Sequence, residues 1–247
     1  MKLQILGSSS KGNCYIFRAS AGEVLMVECG VSFNDIKKAL NFDISKVVGC
    51  LISHEHQDHA KQAGKCLEAG IDCWMSDGTA AQLGITNDRR VYLMQELHPY
   101  KIGSFGVLPF KTEHDAREPF GFLIHHPEMG TALFATDTYF LGYTFQGLNN
   151  ILIECNYRKD ILEANERAGK LPERVWKRTL RSHCSFDTCK AIMEANDLTA
   201  VNNIVLIHLS DGNSNAMEFR DGIAEATGKT VHIAEPGMTI PFDKTPF

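Results

Sequence analysis

The segment His54-Glu55-His56-Gln57-Asp58-His59 sets four metal-competent side chains within six residues, directly behind the apolar run Val47-Val48-Gly49-Cys50-Leu51-Ile52. Side chains alternate along an extended chain, so His54 and His56 project to one side. Where the chain then turns into a helix, Asp58 and His59 swing to an adjacent point. One strand-to-helix junction can thus serve two neighbouring metal ions. The donor types say what such ions would do. Imidazole suits zinc, iron and manganese, a carboxylate adds a hard anionic oxygen, and a nitrogen and oxygen set without thiolate usually leaves positions open for water. Closed structural zinc sites favour cysteine. The pattern therefore points to catalysis over a sequestered structural ion or a surface histidine cluster.

Composition limits the setting. A chain of 247 residues with 44% hydrophobic content can bury a substantial core as one large domain or two small ones. No linker of boundary quality interrupts it, so residues 1–247 read as one domain. A net charge of -5 argues against a protein coated in positive charge for nucleic acid, and partners must be sought in local patches. Eight cysteines occur without a CxxC pair, several in apolar runs, which predicts reduced core thiols. No run approaches about 18 apolar residues, and the start is too quickly interrupted for a secretory signal. The expectation is a cytoplasmic protein with no membrane segment.

Strands are predicted at Leu3 to Leu6, Cys14 to Arg18 and Val24 to Val27, with a loop from Ser8 to Asn13. Ser32 is expected to cap a helix reaching Leu40, with Asp35 completing the pattern. After the Val47 to Ile52 strand the pattern is helical from Ala60 to Ala69, stopped by Gly70. A strand-rich centre follows, from Cys73 to Glu154, with His125 and His126 expected in a surface turn. Helices are then expected at Ile161 to Ala168, Glu173 to Arg181, Phe186 to Asn196 and Ala216 to Thr227, with strands at Ile204 to Ile207 and Val231 to Ala234. Two strand-rich halves interrupted by helices suit an α/β fold of four layers, αββα, better than a purely parallel wound sheet. The helices at about 158–197 read as an insertion in that sandwich.

A dinuclear site needs more donors than one hexapeptide supplies, and three stand at predicted strand ends: His114, Asp137 after Ala132-Leu133-Phe134-Ala135-Thr136, and His208 after Ile204-Val205-Leu206-Ile207. Strand C-termini are where α/β folds usually gather functional groups. The order HxHxDH, separate histidine, separate aspartate, late histidine resembles the metallo-β-lactamase-fold hydrolase superfamily. More narrowly, Gly7-Ser8-Ser9-Ser10-Lys11-Gly12-Asn13-Cys14, His114-Asp115-Ala116-Arg117-Glu118-Pro119, Ala135-Thr136-Asp137 and His208-Leu209-Ser210 resemble its YycJ/WalJ type. Separated matches in the correct order are more specific than any one motif.

The resemblance implies that His54, His56 and His114 hold a first metal, that Asp58, His59 and His208 hold a second, and that Asp137 bridges them. The cofactors would be two divalent ions, zinc or manganese before iron, and the nucleophile a hydroxide between them, which Asp58 helps orient or deprotonate. Two departures stand out. Glu28-Cys29-Gly30 replaces an Asp-Ala-Gly-like turn, so that Glu28 supports the metal loops from behind. Asn156-Tyr157-Arg158 replaces Asn-His-Asp, removing a histidine from the region of the substrate.

Ser182-His183-Cys184-Ser185 resembles the type's Gly-His-Leu-Ser segment. His183 reads either as a general acid or phosphate contact, or as a loop residue closing onto the helix at Phe186. From Arg158 to Arg181, eight cations stand against four anions. Arg174, Lys177, Arg178 and Arg181 follow i, i+3, i+4 and i+7 spacing, one basic helical face able to meet a phosphate backbone. Such a face is often merely solvated. The type's association with DNA exonuclease activity favours the nucleic-acid reading. The leading expectation is a dinuclear metal-dependent phosphodiesterase, a DNA exonuclease with nucleic acid as partner. The alternatives are a small-molecule hydrolase of a thioester, lactone or cyclic phosphodiester on the same centre, and a non-catalytic metal-stabilised binding protein.

Overall fold

The computed structural model describes residues 1–245. The first half of the chain lays down β1 (Lys2–Ser9), β2 (Gly12–Arg18), β3 (Val24–Val27), β4 (Val47–Leu51), β5 (Cys73–Ser76) and β6 (Val91–Met94) side by side in chain order. The second half repeats the scheme with β7 (Tyr100–Ile102), β8 (Phe105–Lys111), β9 (Phe120–His126), β10 (Gly130–Ala135), β11 (Leu148–Glu154), β12 (Asn203–Ile207) and β13 (Thr230–Ile233). The short β14 (Thr239–Pro241) returns to pair antiparallel with β1. In each sheet the early strands pair antiparallel and the later ones parallel, the switch falling between β2–β3 and β3–β4 and between β9–β10 and β10–β11. This shared plan accounts for the similar order of elements in the two halves of the sequence.

Both faces of each sheet are covered, so the strands alternate between two apolar environments. Along β2, Tyr15 and Phe17 enter the cluster between the sheets, with Phe122, Phe134, Leu152 and Val205. Cys14 and Ile16 face outward against α1 (Phe33–Ala39), α2 (Gln57–Ala60), α3 (Ala63–Glu68) and α4 (Asp77–Leu83), through Ile36, Ala60, Cys66 and Ala80. The second sheet is covered by α7 (Phe186–Ala195) and α8 (Ala216–Thr227) through Ile192, Met193, Phe219 and Ile223. Tyr15 meets Phe134 edge-on at 5.3 Å across the central layer. Each such fully buried side chain stabilises the fold by about 1.5–3 kcal/mol. The result is the αββα sandwich that the sequence predicts, with α5 (Lys159–Arg167) and α6 (Glu173–Ser182) also lying between β11 and β12.

Several local expectations shift. The predicted Ser8–Asn13 loop is mostly strand: Ser8 pairs with Asn13 and Ser9 with Gly12, leaving only Ser10 and Lys11 to turn. The helix predicted over 60–69 is two helices, because the Gln62 amide donates to the Cys29 carbonyl at 3.0 Å. His125 and His126 lie in β9 opposite Thr131 and Gly130, and His126 is buried with Nε2 2.9 Å from Ser104 Oγ. Ser32 caps α1 as predicted, accepting from the Asp35 amide. The sequence carries no clear signal for α4 or β14: α4 is one short helix carrying Gly78 and Thr79, and β14 is three residues ending in proline. All eight cysteines are buried and free, as expected. Among the described residues no helix is long and apolar enough to cross a membrane.

Candidate metal centre

The loops that leave β3, β4, β10, β11 and β12 converge at one edge of the sandwich. Glu28, Asp137 and His208, which follow the ends of β3, β10 and β12, have φ of 65°, 40° and 53°. The left-handed region is disfavoured for residues with a Cβ, so it persists only where surrounding contacts impose it. The abrupt reversal lets each side chain enter the cleft instead of continuing along its strand. Gly30 is required for the same packing. A Cβ placed there would lie 1.7 Å from the Asp58 carbonyl oxygen, so only glycine lets the loop after β3 lie against the ligand-bearing turn.

His54, His56 and His114 form a first donor group. His54 Nε2 and His114 Nε2 lie 3.0 Å and 3.1 Å from His56 Nδ1. His114 donates its Nδ1 proton to the Ser182 carbonyl at 2.6 Å, which fixes the tautomer with a lone pair on Nε2. His54 Nδ1 engages Ser53 Oγ at 2.8 Å. Nitrogen separations in a tetrahedral zinc shell are roughly 3.3 Å, from Zn–N bonds of about 2.0–2.1 Å. Burial holds the His54 and His114 rings below the ordinary imidazole value, so they are neutral and free to donate electron pairs.

Asp58, His59, Asp137 and His208 form a second group. Asp58 Oδ2 lies 3.3 Å from His59 Nε2 and 3.2 Å from His208 Nε2. Asp137 stands between the groups. Its Oδ1 is 3.4 Å from His59 Nε2 and 3.6 Å from His208 Nδ1, while its Oδ2 is 3.5 Å from His114 Nε2 and 3.9 Å from His54 Nε2. Burial disfavours charge here, but the pairing overrides it. Asp137 and its carboxylate neighbours push His208 up to about 10 and raise His59 well above its usual range, while His208 and His59 in turn depress Asp58 and Asp137. The donor set fits a pair of divalent ions: neutral imidazoles in one group, and carboxylates shared with imidazoles in the other.

Several supporting residues carried no ligand-like signal in the sequence. Asn13 donates to the Ser9 and Asp58 carbonyls at 3.1 Å and sits 3.2 Å from His59 Nε2. Ser8 Oγ accepts from the His208 amide at 2.9 Å, and Asn156 Nδ2 donates to the His208 carbonyl at 2.8 Å. Glu28 is fully buried, accepts from the Ser53 amide at 3.2 Å, and brings Oε2 to 3.7 Å from His59 Nδ1, the supporting place predicted for it. Tyr157 is buried away from solvent in a bridge with Ser185.

In the sequence Glu154 is marked only as the end of a strand. Its side chain is fully buried; Oε2 accepts from the Thr138 and Cys184 amides, both at 2.9 Å, and Oε1 lies 2.6 Å from His183 Nδ1 and 3.4 Å from His208 Nδ1. Despite burial, Glu154 raises His183 and is itself depressed by it. His183 stacks on His208 with centroids 5.5 Å apart, and its Nε2 has no hydrogen-bond partner among the described residues. Periodicity cannot flag such a carboxylate, since a fully buried strand of both-faced burial reads as apolar whatever its last residue.

Of the basic face, Arg174, Lys177, Arg178 and Arg181 are all exposed on α6. Arg178 grips Asp115, beside His114, at 2.6 Å and 3.3 Å, and Lys177 pairs with Glu173 at 2.5 Å. Because Ser182 at the end of α6 also accepts from His114, the basic helix abuts the first donor group.

Residues 9–139 match the Metallo-beta-lactamase superfamily. The exodeoxyribonuclease YycJ of Bacillus anthracis is 26% identical over 232 residues, covering 87% of this chain and 84% of that protein. Among solved structures, the metallo-beta-lactamase fold protein YhfI from Bacillus subtilis superposes with a TM-score of 0.72 at 18% identity, over 97% of this chain and 99% of that one. The short form of human tRNase Z gives a TM-score of 0.64 at 14% identity, over 98% and 99%.

Proposed function

The chain belongs to the metallo-beta-lactamase superfamily, and on that premise we propose a metal-dependent hydrolase, a phosphodiesterase that removes nucleotides from DNA ends. The observation that carries the reading is the Asp137 carboxylate, one oxygen toward each donor group. His54, His56 and His114 would hold one divalent ion, Asp58, His59 and His208 a second, with Asp137 shared, and zinc or manganese suits these donors. Ions so bound supply acidified water and neutralise the charge of a phosphodiester.

The protein's own groups would do the rest. Asp58 keeps 22% of its side chain exposed and is placed to orient water or take its proton. His183, held by Glu154 through Nδ1, offers Nε2 to protonate the departing oxygen. A third cluster of Asp137, Glu154, His183 and His208 also has metal-like spacing. Glu154 already accepts from two amides and His183, so that cluster suits proton handling better than ion binding. Arg174, Lys177, Arg178 and Arg181 would meet backbone phosphates. Similarity to an exodeoxyribonuclease favours DNA as the substrate. We read residues 1–247 as one cytoplasmic unit with a helical insertion at about 158–197, in keeping with its free buried thiols.

The test is incubation of metal-reconstituted protein with end-labelled single- and double-stranded DNA and RNA, alongside Asp58→Ala. Stepwise shortening of DNA that the variant lacks is expected. Cleavage confined to thioesters, lactones or cyclic phosphodiesters would replace the reading with a small-molecule hydrolase, and metal binding without turnover would leave only a binding protein.

A further inference from the structure

Residues 138–147 follow Asp137 directly and are anchored by their later side chains. Leu141 and Phe145 are buried, Tyr143 packs on Phe110 at 5.7 Å and bonds to Glu96, and the Phe145 amide donates to Asn196 Oδ1 at 2.7 Å. Yet Tyr139 and Phe140, which follow closely after Asp137 in the chain, remain 43% and 54% exposed. Their backbone is not loose. The Tyr139 amide donates to the Glu113 carbonyl at 3.1 Å, and Thr138 Oγ1 accepts from the Glu113 amide at 3.0 Å and donates to the Phe140 carbonyl at 2.5 Å. Two large rings are thus held in water by a fixed loop.

Their neighbours indicate what they meet. The segment Glu113-His114-Asp115 touches the aromatic loop through Glu113 and the basic helix α6 through His114 and Asp115. The basic helix and the loop bearing the exposed aromatic rings thus both adjoin segment 113–115. Single-stranded nucleic acid asks for this pairing, positive groups along the phosphates and flat apolar faces on which successive bases stack. A small hydrolytic substrate would use neither the exposed cations of α6 nor two exposed rings.

We propose that Tyr139 and Phe140 form a stacking platform for the nucleobases at the single-stranded end of the substrate, whose phosphates run along α6. This rests on the phosphodiesterase reading. It implies a preference for frayed or single-stranded ends over blunt duplex, where bases are already stacked on one another.

The experiment compares an oligodeoxynucleotide with a copy carrying abasic residues at both ends, on the wild type, the Tyr139→Ala/Phe140→Ala double variant and the Tyr139→Phe/Phe140→Trp double variant. Both exposed rings can be truncated without opening the core. The wild type is expected to show a KM about 5- to 150-fold higher on the abasic-ended strand. The alanine variant should show a similar rise on normal DNA but little further penalty on the abasic strand, while the aromatic variant stays near wild type. In parallel, a terminal 2-aminopurine should be quenched on binding to the metal-free wild type and not to the alanine variant. Equal KM values on the two strands, or penalties that simply add, overturn the platform alone. Absence of any cleavage overturns the phosphodiesterase reading, and the 2-aminopurine signal still decides the platform: unquenched binding, or no binding, refutes it.

Discussion

Replacing Glu154 by glutamine removes one buried charge while keeping shape. The amide oxygen can still accept from Thr138 and Cys184, which obliges the NH2 group to face His183 Nδ1, now 2.6 Å away. The charge-assisted bond to His183 and the attraction to His208 are lost, and His183 must hand its Nδ1 proton to Nε2 to accept. A hydrogen bond to a charged group contributes about 1.5–3 kcal/mol, partly offset here because a carboxylate no longer has to be desolvated. A net loss of about 2 kcal/mol in metal-free protein corresponds to about 4–8 °C in Tm for a chain of this size. The sign with pH is definite. A depressed Glu154 stabilises above the ordinary carboxylate range, and that contribution is lost as pH falls through its folded value; a raised His183 stabilises below the ordinary imidazole range, and that contribution is lost as pH climbs through its folded value. The Tm gap should therefore be widest in mildly acidic solution, between the ordinary carboxylate and imidazole ranges, and narrow at both extremes. Activity should fall about 10²- to 10⁴-fold, and the alkaline limb of the rate profile should move to lower pH, because His183 then loses its proton sooner. Thermal melts across pH, with kcat profiles of Glu154→Gln, His183→Ala and the pair, check this. A Tm within a degree of wild type and kcat within twofold, or additive losses in the double variant, would refute the dyad.

Gly30→Ala drives a Cβ into the Asp58 carbonyl and the His59 amide, so the second donor group should lose its metal or the fold should lose more than about 4 kcal/mol, read by metal analysis and denaturation. Charge reversal of Arg174, Lys177 and Arg181 should weaken DNA binding and flatten its salt dependence while hydrolysis of a small phosphodiester changes little, seen in titrations at several ionic strengths. Because His59 and His208 carry raised values, metal loading near neutrality should release about two protons per chain and tighten as pH rises, measurable by calorimetry in buffers of different ionisation enthalpy.

Much of this centre is legible before any coordinates, because its donors follow strands and donor types are scarce. His54, His56, Asp58 and His59 announce themselves by spacing, and His114, Asp137 and His208 by their place after apolar runs. The fold class follows from the order of runs and helices. What escapes is geometry set by the chain's return on itself. Glu154 looks like a strand end until Thr138, Cys184 and His183 fold around it, and Asn13 looks like a loop residue until β2 brings it under Asp58. The break at Gln62 depends on a carbonyl more than thirty residues earlier, at Cys29. Tyr139 and Phe140 look like ordinary core aromatics, since only the anchoring of Leu141 and Phe145 shows that they stay outside.

Adding zinc or manganese stepwise to metal-free protein, while following phosphodiester cleavage at saturating DNA, tests the two-ion centre most directly. Activity should rise until two equivalents are bound and then level off, and His114→Ala and Asp58→Ala should each fail to reach the plateau. Full activity without metal, or saturation at a single equivalent, would contradict it.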